Sequence, residues 1–325
     1  MIFFALQCLT FEKIYPCKRQ KLVAMEDQEV LDAVIVGGSY AGLAAAMSLG
    51  RARRNVLILD SGLPCNRQTP HSHNFLTQDG STPAAIAAQA LAQVLAYPTV
   101  QLRREVAVAA TGADNDFRVT TASGATVRAR KLLFATGVHD QMPAIPGFAE
   151  SWGISVIHCP YCHGYEYRDQ PTGILLNGDM AVEQVRLLLN WTPTLTVFTN
   201  GPSTIQPEHR QRLSERGIAV EEAPIEQIVH QSGYLTHVVL AGGRQVALRA
   251  LYARPAFTQH CLLPQELGCT LTEQGHLAVD TLQKTNVPGV YAAGDATTPM
   301  RTVSVAVAAG TLAGAMLSRE MLDAL

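Results

Sequence analysis

Two cysteines and a histidine form the most chemically reactive stretch of the sequence. Cys159 and Cys162 are separated by two residues, and His163 follows directly. Cysteines at this spacing can close a small disulfide ring, and in such motifs the thiol pKa falls to roughly 3.5–7.5, so thiolate is present near neutral pH. A histidine, whose usual pKa is about 6.5, can pass a proton to or from that thiolate. The stretch therefore predicts a redox-active disulfide with its own acid/base group.

Three other interpretations of this stretch compete. A Cys-x-x-Cys-His sequence also attaches c-type haem, but that use is typical of secreted chains and small helical proteins. A zinc site needs four ligands, and Cys261 and Cys269 are too widely spaced to form a second Cys-x-x-Cys. The third interpretation is a pair of buried structural cysteines, which the stretch by itself leaves open.

Composition favours a soluble globular protein. The 325 residues are 47% hydrophobic and 16% charged, and this length suggests roughly two domains. A net charge of −2 gives no reason to expect a nucleic-acid partner. Seven cysteines are an odd number, which argues against a fully paired secreted framework and favours a cytoplasmic location.

The first residues are expected to lie outside the fold. The apolar run from Met1 to Phe11 is too short for a membrane helix and lacks the basic start and the cleavage site of a signal peptide. We therefore predict no membrane association. Residues 1–28 are interpreted as a tail, or as an extension from a mis-assigned start, with Met25 as the alternative first residue.

The first half of the chain begins with a strand, a glycine-containing turn, a helix and a second strand. The apolar run 33–36 precedes the turn 37–42, and the second strand ends at Asp60. This order is typical of a dinucleotide-binding βαβ unit, in which glycines let the backbone approach the pyrophosphate and the acid binds a ribose hydroxyl. Ser39 replaces the second glycine of the usual G-x-G-x-x-G pattern. The turn residues expected at the cofactor are Gly37, Ser39, Tyr40, Ala41 and Gly42.

Further elements follow from local patterns. Thr82 and Pro83 predict the N-cap and first residue of a helix over 84–96. Short strands near 106–109, 117–121 and 126–128 predict a β-meander, and a strand over 131–134 leads into Thr136 and Gly137. The loop 61–80 holds His71 and His73, but no third ligand is near, so no metal site is predicted.

A second βαβ unit follows the cysteine stretch. Strand 173–176, helix 182–191 and strand 195–198 enclose the turn at Asn177 and Gly178, and a strand and turn over 288–295 return later. The sequence predicts an α/β fold with two dinucleotide-binding (Rossmann-like) domains, the second inserted into the first. The outer domain would comprise residues 29–141 and 287–325, and the inner domain, with the cysteine pair, residues 142–286. The small face of a terminal helix over 302–321 is expected to pack against a cofactor or a sheet.

The order of these motifs resembles that of the low-molecular-weight thioredoxin reductase-like flavoproteins over roughly residues 30–325. The glycine turn, Ala135-Thr136-Gly137, the cysteine pair, the second βαβ unit and Gly294-Asp295 carry the resemblance. It implies FAD in the outer domain. The residues it would place at FAD are Asp60 near the ribose, Asn74 and Thr136 along the cofactor, Asp295 on the ribityl chain, and Arg301, Thr302 and Val303 at the flavin ring, with Gly137 and Gly294 in the adjoining turns.

The resemblance also implies roles at the cysteine pair. Cys162 would lie against the flavin, and Cys159 would exchange with the substrate. His163 stands where typical members have an aspartate, and the whole stretch looks closer to the dithiol oxidases and atypical bacterial members. A homodimer and a thioredoxin-like protein or small dithiol/disulfide substrate are further expectations from the family.

Three departures from the family lie in the second βαβ unit. Leu176 replaces the first glycine of the turn, Thr199-Asn200-Gly201 replaces a His-Arg-Arg sequence, and Ala253-Arg254-Pro255 replaces an Ala-Ile-Gly turn. These changes predict that NADPH is not the natural electron carrier and that a second flavin, ferredoxin or oxygen takes its place. The leading hypothesis is an FAD-dependent disulfide/dithiol oxidoreductase. Alternatives are an ordinary NADPH-dependent thioredoxin reductase, an oxygen-dependent dithiol oxidase and a non-catalytic flavin redox sensor.

Overall fold

The computed structural model describes residues 30–322, so the predicted tail and the choice between Met1 and Met25 lie outside it. In chain order the strands are β1 (Leu31–Val36), β2 (Val56–Leu59), β3 (Val100–Arg103), β4 (Ala107–Ala113), β5 (Asp116–Thr121), β6 (Thr126–Phe134), β7 (Val138–Asp140), β8 (Val156–Ile157), β9 (Thr172–Leu175), β10 (Leu195–Phe198), β11 (Ala219–Glu221), β12 (Ile225–Gln231), β13 (Tyr234–Leu240), β14 (Gln245–Ala247), β15 (Ala250–Ala253), β16 (Phe257–Gln259) and β17 (Val290–Ala292). The helices are α1 (Tyr40–Arg51), α2 (Pro83–Leu95), α3 (Phe148–Ser151), α4 (Pro160–His163), α5 (Gly178–Leu188), α6 (Pro207–Glu215), α7 (Leu263–Glu266) and α8 (Val303–Glu320).

The outer unit is built on a seven-stranded sheet with the order β3-β2-β1-β6-β5-β4, in which β17 also pairs with β6. Strands β3, β2, β1, β6 and β17 run parallel, as in a dinucleotide-binding unit. The predicted β-meander is confirmed as the antiparallel pairs β4–β5 and β5–β6. Thr82 also caps α2, because its Oγ1 accepts a hydrogen bond from the Ala85 NH.

Strand β6 differs from the prediction because it is one continuous strand, whereas two were expected. The predicted strands 126–128 and 131–134 are joined through Ala129 and Arg130, and Lys131 lies in the middle of the strand with its side chain almost fully buried. Its Nζ donates to Asp114 at 2.6 Å and to Glu320 at 2.8 Å. A buried charge is tolerated when it is paired in this way, so the strand continues through it.

The terminal helix α8 packs against helix α1, and the prediction that its small face meets a cofactor or a sheet is wrong for most of that face. A Cβ added at Gly310 would collide with the backbone of Ala41, and one added at Gly314 would collide with that of Ala45. Small residues therefore let the two helix backbones approach closely. Only the first turn of α8 differs, because Val303 and Ala306 face the cavity described below.

The inner unit is a parallel five-stranded sheet with the order β11-β10-β9-β15-β8. Helix α5 lies on it through Ala181, Val182, Val185 and Leu188, and a three-stranded antiparallel sheet of β12, β13 and β14 lies beside it. The two βαβ units thus have the same local architecture, as the sequence predicts.

The two units are joined by the antiparallel pair of β7 and β16. After β16, the residues Leu263, Cys269 and Leu277 pack into the core of the outer unit with strands β4 to β6. We propose on this evidence that the chain returns to the outer domain at β16, earlier than the predicted boundary at residue 286. No helix within residues 30–322 has the length and apolar character to cross a membrane.

Candidate functional site

A cavity of about 1350 Å³ lies between the outer unit and the cysteine-bearing segment. Sites for small ligands usually measure roughly 300–1,000 Å³, so this cavity is large enough for a dinucleotide. The structure brings most predicted site residues to its wall. They are Gly37, Ser39, Tyr40, Ala41, Asp60, Thr136, Gly137, Cys162, His163, Gly294, Asp295, Arg301, Thr302 and Val303.

The glycine turn fits the close approach of a pyrophosphate. Gly37 has φ +103°, and a side chain there would collide with the carbonyl of Ala135. Gly42 lies behind the turn, where a Cβ would collide with the carbonyl of Gly37. The side chain of Ser39, the N-cap of α1, makes no capping hydrogen bond within the described chain. The N-terminus of α1 is thus open to the cavity, and a helix N-terminus with free NH groups suits a phosphate.

Asp60 is fixed at the end of β2 next to this turn. Its Oδ1 accepts a hydrogen bond from the Gly38 NH at 3.0 Å, and its other oxygen is paired with Arg104. A Cβ on Gly38 would lie 2.8 Å from the Asp60 Cβ, so glycine is needed for this contact. The acid therefore lies where a ribose hydroxyl would be bound.

Thr136 gives a separate sign that the cavity is built for a polar ligand. Its Oγ1 is buried and has no hydrogen-bond partner among residues 30–322. Gly137 beside it has φ +65° and leaves open space where a Cβ would be. A buried hydroxyl without a partner costs free energy, and a ligand in the cavity would supply the partner. The residues present therefore fit FAD.

Three buried charges lie at the end of the cavity near the start of α8. Arg301 binds Asp140 with two hydrogen bonds of 2.7 and 2.9 Å, and its Nε lies 3.5 Å from Asp295. Burial by itself lowers the pKa of Arg301, but the hydrogen bonds to Asp140 raise it above its ordinary value. Burial raises the pKa of Asp295. The predicted flavin-ring residue Arg301 is thus held by a partner, Asp140, that sequence reasoning missed.

The cysteine pair is presented by the short helix α4. Pro160 is its first residue and Cys159 its N-cap, and Cys159 and Cys162 are joined by a disulfide. Cys162 and His163 line the cavity, whereas Cys159 is half-buried outside the lining. This arrangement places Cys162 on the cavity wall and leaves Cys159 outside it.

The sequence predicts that His163 titrates near neutrality, and the structure differs from this prediction. Burial, assisted by the nearby charge of His73, lowers the pKa of His163 to about 4. The imidazole is therefore neutral at pH 7. Desolvation depends on tertiary surroundings, which the sequence motif does not show.

His158, the residue before Cys159, is a cavity residue that the sequence analysis missed. Burial lowers its pKa to about 4, and its Nε2 has no hydrogen-bond partner among the described residues. Its ring stacks on Trp152 at a centroid distance of 5.8 Å. The sequence His-Cys-x-x-Cys-His has a histidine on each side of the cysteine pair, and this pattern could have indicated that His158 also belongs to the site.

Cys65 is a second missed residue. Cys65 is exposed towards the cavity that it lines, and desolvation by the surrounding protein atoms raises the pKa of its thiol to about 11. A thiol with such a pKa is protonated at pH 7, which makes it a poor nucleophile.

Asn74 and Gly42 are the two predicted cofactor residues that do not line the cavity, and Asn74 lies on an exposed turn. Its NH donates to Asp79, and Asn74 itself has φ +58°. The neighbouring Ser72 and His73 line the cavity instead. Residues 30–322 contain no group of three or more His, Cys, Asp or Glu that could hold a metal ion.

The turn of the inner βαβ unit is closed by its own side chains. The Oδ1 of Asn177 accepts hydrogen bonds from the NH groups of Gly178 and Thr204, both at 2.8 Å. Its Nδ2 donates to the Pro202 carbonyl at 2.9 Å. Leu176 packs against the inner core. The N-terminus of α5 thus already has an acceptor where α1 has none.

The residues after β10 offer little to a phosphate. The Thr199 hydroxyl donates to the carbonyls of Gly201 and Glu221, and the amide oxygen of Asn200 accepts from the Ile225 NH at 2.8 Å. The carboxylates of Glu221 and Glu222, on and just after β11, are paired with Arg244 and Arg210. Arg254 is turned to Gln184 of α5, to which it donates at 2.8 Å.

The comparisons with known proteins agree with this geometry. The model of the family "pyridine nucleotide-disulphide oxidoreductase" matches residues 31–310. The chain is 32% identical to the thioredoxin reductase sirT of Leptosphaeria maculans, over 91% of this chain and 95% of that protein. Among solved structures, an oxidoreductase from Agrobacterium tumefaciens is 38% identical with a TM-score of 0.85, over 90% of this chain and 99% of that one. HlmI is 33% identical with a TM-score of 0.85, over 93% and 95% of the two chains.

The chain belongs to the pyridine nucleotide-disulphide oxidoreductase family, and it is a flavin-dependent disulfide oxidoreductase of the thioredoxin reductase type.

Proposed function

We propose that this protein exchanges electrons between FAD in the large cavity and a dithiol or disulfide substrate, through the Cys159–Cys162 pair and without NADPH. The observation that carries the proposal is the shared wall, because Cys162 and His163 line the same cavity as the dinucleotide turn. When bound there, FAD supplies a two-electron acceptor or donor. The substrate would be a small dithiol/disulfide or a thioredoxin-like protein.

Each sulfur has a separate part in this proposal. Cys159, outside the cavity lining, exchanges with substrate through a mixed disulfide, which forms when a thiolate attacks a disulfide sulfur. Cys162, in the cavity wall, faces the cofactor side. His163 supplies the acid/base function, since it adjoins Cys162.

His163 serves both directions of electron flow, because a group that accepts a proton in one direction returns it in the other. In one direction a substrate dithiol is oxidised, with oxygen, a second flavin or ferredoxin as the further electron carrier. A reductase reaction in the opposite direction is the competing function.

The inner turn supports the exclusion of NADPH. Asn177 occupies the acceptor position at the start of α5, and the loop after β10 carries no lysine or arginine over residues 199–206. A pyrophosphate bound there would have to displace the Asn177 hydrogen bonds. A 2′-phosphate would meet Arg210 and Arg244 already paired with Glu222 and Glu221. We also propose a homodimer, for which sedimentation of the purified protein is the test.

Flavin content and single-cysteine variants test the redox site. The purified protein should be yellow, and Cys159→Ser should show a long-wavelength charge-transfer band from a Cys162 thiolate next to the flavin. Cys162→Ser is the matched control and should lack that band. A colourless protein that takes up no added FAD would overturn the proposal.

Kinetics test the acid/base assignment and the electron donor. His163→Ala should slow dithiol–disulfide exchange by roughly 10²–10⁴, the usual range for a positioned acid/base.

Anaerobic stopped-flow mixing with NADPH should bleach the flavin slowly, whereas dithionite, the positive control, should bleach it fully. Rapid, saturable bleaching by micromolar NADPH would restore the ordinary reductase hypothesis, and the number of flavins released per chain would show whether the inner unit holds a second one.

A further inference from the structure

His73 lies at the contact between the outer unit and the cysteine-bearing segment. It belongs to the loop between β2 and α2, and its Nδ1 is 3.6 Å from the Asp79 carboxylate on the same loop. Its Nε2 is 3.5 Å from the carboxylate of Glu166, which follows His163 by three residues. The imidazole therefore bridges two carboxylates from different parts of the chain.

The same imidazole also belongs to the cavity wall. His73, Cys162 and His163 all line it, and His73 is close enough to act electrostatically on His163. The titratable groups around His73 are His71 and Asp79 on its own loop and His163 and Glu166 on the cysteine segment. Asp79 is largely exposed, with 69% of its side chain accessible. His73 thus shares a wall with Cys162 and His163, and its partner Asp79 reaches solvent.

The proposed chemistry releases protons as well as electrons. When two thiols form the Cys159–Cys162 disulfide, two S–H bonds break, one S–S bond forms, and two electrons and two protons leave. The electrons go to the flavin of the proposed function, and the protons need a base and a path. In the other half-reaction a substrate dithiol reduces this disulfide: the substrate becomes a disulfide, its two protons pass to the thiolates of Cys159 and Cys162, and the attacking substrate thiol needs a base.

The two histidines have different surroundings. His163 lies in a desolvated wall, where a charged form is disfavoured. His73 lies 3.6 Å from the Asp79 carboxylate and 3.5 Å from that of Glu166, and Asp79 reaches solvent. A proton that leaves the cysteine pair through His163 therefore has His73 and its carboxylate partners as the next acceptors on the way to solvent.

We propose that His73 is a proton-relay residue that exchanges protons between His163 and solvent, with Glu166 and Asp79 holding its ring in place. This inference rests on the proposed function. His73 acts through His163 and is therefore a positioning residue.

Reduction of the disulfide by dithiothreitol tests the relay without measuring turnover. The protein is mixed anaerobically with dithiothreitol at pH values from 6 to 9, quenched by alkylation, and the reduced Cys159–Cys162 pair is counted by mass spectrometry. His73→Asn should slow reduction at pH 7 by about tenfold to a hundredfold, less than loss of the direct acid/base. It should also change the shape of the pH profile, and added imidazole should restore part of the rate.

His71→Asn is the matched control, because the His71 ring is on the same loop but hydrogen-bonds the Gly80 carbonyl. It should keep the rate and the pH profile of the wild type. Glu166→Gln should slow reduction in the same direction as His73→Asn, by a smaller factor.

Two outcomes would overturn the relay. One is a His73→Asn protein that follows the wild type within about twofold at every pH. The other is a slower variant whose pH profile is unchanged and whose rate added imidazole does not restore. That result would mean that His73 only holds its loop against the cysteine segment. If the wild-type pair itself resists dithiothreitol, or if His163→Ala has no effect, the proposed function fails; a normal His73→Asn beside an impaired His163→Ala refutes the relay alone.

Discussion

The two βαβ units of this chain share the order of strand, turn and helix, but their turns use the start of the helix in different ways. In the outer unit, Gly37 and Gly42 bring the backbone close, and the side chain of the N-cap Ser39 caps nothing within the described chain. In the inner unit, Leu176 replaces the first glycine, and Asn177 fills the acceptor position at the start of α5. One turn is open to a ligand, and the other is closed by its own residues.

The inner unit keeps the same fold although its turn differs. The inner sheet and helix stay together through buried apolar residues such as Val182, Val185 and Val197, which do not depend on the turn. Residues of the turn can therefore change without unfolding the domain. The predictions below test whether the two regions differ as described.

The largest effect is expected at the buried charges of the outer site. The Arg301 and Asp140 side chains are only 15% and 7% exposed, so Arg301→Met leaves an unpaired buried carboxylate. Such a loss costs about 3–5 kcal/mol, which urea unfolding would measure. Arg186→Met, which removes an exposed ion pair on α5, should change stability little. Adding Asp140→Asn to Arg301→Met should recover part of the loss, and a double variant no better than the single one would contradict this account.

A pH effect of a few kcal/mol is expected from the cavity histidines. His158 and His163 are neutral in the folded protein down to a pKa of about 4, whereas in the unfolded chain they are protonated below about 6.5. The unfolded state thus binds more protons between pH 6.5 and 4, so the free energy of unfolding falls as the pH is lowered through that window. Each pKa unit corresponds to about 1.4 kcal/mol.

Denaturant unfolding at pH 7 and pH 5 checks this sign. The variant His158→Gln/His163→Gln should lose less stability between these two pH values than the wild type, because carboxylate titration is common to both proteins. An equal loss in both would contradict the burial argument.

A smaller effect is expected from single substitutions at corresponding positions after the two turns. Gly42→Ala forces a Cβ against the Gly37 carbonyl, and overpacking of this kind costs about 1–3 kcal/mol. FAD binding should weaken by roughly tenfold to a hundredfold. The counterpart five residues after Leu176 is Ala181, which is fully buried. Ala181→Gly should cost about 1 kcal/mol of helix stability and leave flavin content unchanged; a loss of flavin there would break the comparison.

The smallest effect is expected at the helix caps. Asn177→Ala removes the acceptor of the Gly178 and Thr204 NH groups, and loss of an N-cap costs about 0.5–2 kcal/mol. Ser39→Ala is the matched change in the outer unit and should cost less, because the Ser39 side chain forms no cap hydrogen bond in the described structure. Thermal unfolding of the two variants compares them directly. Equal losses would mean that both helices depend on their caps alike.

Much of the fold is determined by the local sequence. The run of apolar residues before Gly37, the Thr82 cap and the alternating strands of the meander follow from short-range preferences, and each is found where the sequence predicts it. The cysteine pair is local too, because its ring closes across two residues. Such features need no knowledge of distant residues, which is why the sequence alone predicts them.

Tertiary structure decides the features that join distant residues or depend on burial. Arg301 meets Asp140, 161 positions away, and His73 meets Glu166 from another unit. The buried charge of Lys131 is tolerated inside strand β6 because Asp114 and Glu320 pair with it. The neutral state of His163 arises from desolvation, which depends on all the atoms around the ring. The sequence by itself determined which residues could do the chemistry, and packing decided which of them share a cavity and in which protonation state they do so.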